Sequence, residues 1–73
     1  MQEYIIDVMA IEELQMTHNT DALDVIFQRA KSTIVNGEQV QLIRKQNMGV
    51  TPVNEFTTLQ DLENYRQSVY TYL

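Results

Sequence analysis

His18 is the single imidazole of the 73-residue chain, and Glu12, Glu13, Asp21 and Asp24 flank it. Imidazole and carboxylate together can ligate a divalent cation. The spacing here matches no ligand pattern of that kind, so His18 is expected in an exposed loop. Asp7 stands among Tyr4, Ile5, Ile6 and Val8, as an acid in apolar company. On a strand it would sit at an edge or on a watered face, and the competing assignment is a functional carboxylate. Arg66 lies within the apolar side of a C-terminal helix. Its stem can pack while its head reaches water, or it can pair with a carboxylate such as Asp7 or one on a partner chain. There is no cysteine, which removes thiolate metal sites and disulfides. No catalytic residue, metal ligand or cofactor-binding residue is expected.

The elements that position these residues centre on Asn19 to Arg44. Leu23, Ile26, Phe27, Ala30 and Ile34 follow one face of a 3.6-residue period and predict a helix from about Thr20 to Asn36. Asn19, Thr20 or Asp21 can cap its start. Asn36-Gly37 supplies a left-handed stop. The same dipeptide could also turn a hairpin, but the unbroken helical period through Ile34 favours the stop. Val25 falls opposite the apolar face. A strand then runs from Glu38 to about Lys45, with Val40 and Leu42 on one face and Gln39, Gln41 and Ile43 on the other.

Before this unit, Glu3 to about Ile11 is rich in β-branched residues and reads as a strand, with a helix through Ala10 to Leu14 as the alternative for its second half. Gln15 to Thr20 reads as a loop. After the unit, Gln46 to Gly49 is turn-forming, and a third strand follows from about Val50 to Thr57. Pro52 cannot donate to a ladder and marks an edge, a strand start or a bulge. Thr58 with Asp61 resembles a helix cap, and the last helix runs from Leu59 to near the C-terminus.

The fold expected is a single α+β domain over residues 1–73, a β-α-β-β-α unit with an antiparallel sheet packed by two helices. The last helix gathers Leu59, Leu62, Tyr65, Val69, Tyr70, Tyr72 and Leu73 on a side wider than one small sheet requires. Tyr65, Arg66, Val69, Tyr70 and Leu73 are therefore the expected protein-interface residues. An open sheet edge is the other candidate contact. A core this small is marginal, and self-association is a common remedy, so a homo-oligomer, most simply a dimer, is expected.

Ten acids against five bases give a net charge of −5. That disfavours strong nucleic-acid binding and anionic membranes, and suits solubility or a basic protein partner. Met1-Gln2-Glu3 lacks the basic start of a signal peptide, and no apolar run nears the ~18 residues of a membrane helix. A cytoplasmic location is expected.

Gly37-Glu38-Gln39-Val40-Gln41-Leu42-Ile43-Arg44 resembles a segment of the prevent-host-death (Phd-type) antitoxins, as does Leu59-Gln60-Asp61-Leu62-Glu63-Asn64-Tyr65 more loosely. The resemblance covers about residues 22–73 and implies a dimerising α+β fold. Where that family places a DNA-contacting base, this chain has Asp24 in Ala22-Leu23-Asp24. The functional expectation is a small acidic non-enzymatic interaction module that binds or inhibits another protein, antitoxin-like or inhibitor-like. The alternatives are a structural subunit of a larger assembly, such as a virion component, and a small-molecule binder with an intersubunit pocket.

Overall fold

The structure, a computed structural model, describes residues 3–73. Six elements follow in order: β1 (Tyr4–Asp7), α1 (Val8–Met16), α2 (Thr20–Val35), β2 (Val40–Gln46), β3 (Gly49–Phe56) and α3 (Leu59–Thr71). The α+β class is as expected. Two finer expectations are corrected. The chain has three helices among the described residues, and its sheet is mixed, with β1 parallel to β2 and β2 antiparallel to β3.

The extra helix has a local cause. The N-terminal strand stops at Asp7, whose carboxylate accepts from the Met9 N–H at 3.0 Å and caps a new helix. From there Val8, Ile11 and Leu14 recur at helical spacing and turn toward the core. Two helices then intervene before β2, long enough to carry the chain back so that β2 runs alongside β1 in the same direction.

Both α1 and α2 end in the same way. His18, at φ 53°, takes the left-handed position after α1; its N–H donates to the Gln15 carbonyl and the Asn19 N–H to that of Leu14. Gly37, at φ 83°, does so after α2; its N–H donates to the Ile34 carbonyl and the Glu38 N–H to that of Thr33. These paired bonds satisfy last-turn carbonyls that would otherwise lack partners. The helix-stop assignment of Asn36-Gly37 is therefore the one realised. Asn19 caps α2 through the Ala22 N–H, and Thr58 caps α3 through the Asp61 N–H, each at 3.2 Å.

The sheet order is β1-β2-β3. All three helices contribute to one core: Ile11 from α1, Leu23, Phe27 and Ala30 from α2, and Leu62 and Val69 from α3 meet Ile6, Val40, Leu42 and Phe56 of the sheet. The helices thus cover one sheet face, and the molecule is a disc of 32 × 30 × 17 Å. Two residues, Asn47 and Met48, join β2 to β3. The ladder slips between Leu42, paired with Asn54, and Ile43, paired with Pro52, so Val53 is an inserted bulge residue beside the proline.

Candidate functional site

The broad side of α3 is used largely within the chain. Val69 is 3% exposed and sits in the core. Tyr65 stacks on Phe56 with ring centroids 5.4 Å apart and tilts against Phe27 at 5.9 Å. Tyr70 meets the other side of Phe27 at 6.0 Å. Leu73 packs partly buried against the same cluster. Arg66 lies 4.7 Å above the Tyr70 ring and 3.2 Å from the Glu63 carboxylate. Its carboxylate partner is therefore Glu63, on its own helix, while Asp7 caps α1. The five expected interface residues do form one cluster, with Phe27 of α2 at its centre. Tyr72, beside them in sequence, is the large apolar side chain of this helix end that stands out to solvent.

The titratable groups in this cluster are engaged with one another. The Tyr70 hydroxyl donates to the Asp24 carboxylate. Burial, then that hydrogen bond and the Asp24 charge, push the phenol up to about 12, against a smaller opposing effect of Arg66. Burial also raises the Tyr65 phenol, helped by Glu12 and opposed by Arg44. Arg44 and Glu12 form an ion pair at 3.0 Å between β2 and α1. Arg29 lies 4.8 Å above the Tyr4 ring. Three of the five bases are thus held by an acid or an aromatic ring within the chain.

His18 is exposed at the end of α1. It shares a shallow cleft of about 410 Å³ with Glu12, Gln15, Met16 and Tyr72. Among the described residues no three acidic or histidine side chains are placed to hold a metal ion. A second open cleft, of about 380 Å³, runs between α2 and α3, lined by Asp24, Gln28, Lys31, Glu63 and Arg66. Its charges are of mixed sign.

The surface that sequence reasoning misses is the second face of the sheet. Val40 and Leu42 point into the core, and Arg44 reaches Glu12 on the helix side. By the pleat, Gln41, Ile43 and Lys45 therefore face away from the helices. Register adds Ile5 and Asp7 beside Gln41 and Ile43 on β1, and Glu55, Pro52 and Val50 opposite Gln41, Ile43 and Lys45 on β3. No helix covers this face. Ile5 is 51% exposed and Val50 57%. The signal is present in the sequence: Ile43 stands on the same face of its strand as Gln39 and Gln41.

No protein-family model, curated protein or solved structure matches the chain. Among the described residues no helix is long and apolar enough to cross a membrane.

Proposed function

We propose that this chain is a small acidic, non-enzymatic interaction module that self-associates, most simply as a dimer, and in that form binds or inhibits another protein. The observation that carries this reading is a sheet packed on one face and left open on the other, with Ile5 and Val50 on the open face and Val53 and Met48 exposed on the hairpin. Apolar side chains left exposed on an uncovered sheet face favour a contact. The charges support binding rather than bond-making chemistry. Arg44, Arg66 and Tyr70 are engaged with neighbouring carboxylates, and the clefts beside them are shallow and of mixed sign. A net charge of −5 per chain, doubled in a dimer, favours a basic protein surface as the further partner. The Phd-type resemblance agrees with a dimerising α+β unit, and Asp24 directs the reading away from DNA.

Sedimentation equilibrium at micromolar concentration tests the core of this reading. The expected species has twice the 8.5 kDa chain mass. A single 8.5 kDa species across the concentration range would overturn self-association.

A further inference from the structure

We infer that Asn36 is a modification site: it deamidates spontaneously, through local opening of the α2 stop rather than through unfolding of the whole molecule. The inference stands apart from the self-association reading.

Of the asparagines in the chain, Asn36 is the one that glycine follows. The reaction begins when the Gly37 nitrogen attacks the Asn36 Cγ. The new N–Cγ bond forms, the Cγ–Nδ2 bond breaks, and ammonia leaves with the proton that the Gly37 nitrogen gives up. Water then opens the cyclic imide at either carbonyl, to aspartate or to isoaspartate. Ammonia leaves, water enters, and nothing is oxidised or reduced. A side chain on the next residue would crowd the ring closure. Gly37 has none, and the space where its Cβ would stand is open. Asn36 and Gly37 are both exposed, and Asn36 lines an open cleft of about 360 Å³ beside the end of α2.

The folded stop restrains this chemistry without blocking it. At ψ 6° the Gly37 nitrogen eclipses the nitrogen of Asn36 itself. To reach Cγ it must swing toward Cβ, about a third of a turn about the Cα–C bond. That rotation breaks two bonds, Gly37 N–H to the Ile34 carbonyl at 2.9 Å and Glu38 N–H to that of Thr33 at 3.0 Å. The Asn36 N–H bond to Ser32 lies before the rotating bond and is kept. Two backbone hydrogen bonds at an exposed turn suppress the open form by about tenfold to a hundredfold. Because ring closure is slow beside such opening, the rate follows the open population. Either product alters the joint between α2 and β2. Isoaspartate routes the main chain through Cβ, so the two stop bonds lose their register. Aspartate sets a carboxylate at the negative end of α2, whose last turn holds no base. Each adds one negative charge to the −5 of the chain.

The test follows the full chain in mildly alkaline buffer at physiological temperature, once folded and once in urea beyond its unfolding transition. Ion exchange counts the chains that have gained a negative charge, and peptide mapping by mass spectrometry places the change. Conversion should appear first in the peptide that holds Asn36, with isoaspartate among the products. The folded chain should convert about tenfold to a hundredfold more slowly than the unfolded one. Asn36→Gln, checked for folding by circular dichroism, should lose the early acidic species in both states, because the longer side chain closes its ring far more slowly. Asn47 is the comparison within the molecule, exposed in the hairpin and followed by Met48. Conversion at Asn47 as early as at Asn36 would overturn the site. A larger ratio would overturn local opening, and one of several thousandfold would equal the unfolding constant of a domain this stable. An unfolded chain that stays unconverted would overturn the chemistry itself.

Discussion

Replacing Phe27 by alanine should remove most of the molecule's stability. The ring is 4% exposed, and two tyrosines of α3 pack on it with centroids 5.9 and 6.0 Å away. Truncation loses the transfer free energy of the ring and leaves a cavity between α2 and α3. Buried phenylalanines cost about 3–5 kcal/mol in this way. Because both tyrosines give up their tilted packing on the ring together, Phe27 does not fall at the low end of that range, and about 4 kcal/mol is expected. A domain of this size has a total stability of about 5 kcal/mol, so the variant should retain about 1 kcal/mol. For such a chain each kcal/mol moves the melting midpoint by several degrees, and the expected drop is roughly 20 °C. The assay is thermal and urea unfolding followed by circular dichroism at one fixed protein concentration, since association shifts the midpoint. Val25→Ala is the control. It lies on the same helix, two residues earlier, with 60% of its surface exposed, and it should cost under about 0.5 kcal/mol. A Phe27→Ala midpoint within a few degrees of wild type would refute the packing argument.

Three further outcomes follow from particular interactions. Tyrosinate absorbance on alkaline titration should show one phenol, Tyr70, ionising near pH 12, and Tyr70→Phe should remove that step. Because the folded-state value lies above the unfolded 10, this contribution to stability is full below pH 10 and is lost as pH rises from there toward 12; unfolding midpoints that stay level through that window would contradict it. His18→Gly should stabilise by about 0.5–1 kcal/mol, because glycine accepts the left-handed conformation that histidine holds at a cost, whereas Gly37→Ala should destabilise by about 1–2 kcal/mol for the converse reason; urea midpoints measured side by side check both signs. Mobility shift at about 50 mM salt should show no submicromolar duplex DNA complex, since three of the five bases are already engaged and ten acids oppose the phosphates.

The parts of the fold that are legible in the sequence are those with an unambiguous period and a chemical stop. α2 shows five apolar residues in helical phase and Gly37 to end it, α3 shows Thr58 ahead of Asp61, and β2 shows Val40 and Leu42 alternating with Gln39 and Gln41. α1 is legible only in part, as the helix through Ala10 to Leu14 that competes with the strand, because Val8 and Ile11 are β-branched and continue the strand-like texture of Tyr4 to Ile6. The informative residue is Asp7, which reads as a sheet carboxylate and serves as a helix cap. The parallel pairing of β1 with β2 is a separate matter, since the sixteen-residue α2 between them is already the crossover that a parallel pair needs. The wide apolar side of α3 is legible, but not its destination. Part of it is wide because Tyr65 and Tyr70 straddle Phe27 of the same chain, and a helix's own period does not say which ring it will grip. The open sheet face leaves one trace in the sequence, Ile43 on the face of Gln39 and Gln41, and which face stays open is decided when all three helices are placed on the other side.

The two left-handed stops also bear on how fast this chain folds. The parallel pairing of Tyr4 with Val40 closes a loop of more than thirty residues, and in a flexible chain that closure is entropically slow. His18 and Gly37 bracket α2 with turns whose hydrogen bonds reach no further than five residues along the chain. Such local bonds can form before the strands meet, and they shorten the effective span that the strands must close. The stops would then belong to the rate-limiting nucleus. Gly37→Ala should slow refolding by nearly its whole equilibrium cost and leave the unfolding arm of the chevron almost unmoved. A substitution whose cost shows up instead in the unfolding rate would mean that the strands pair first and the helix ends settle afterwards.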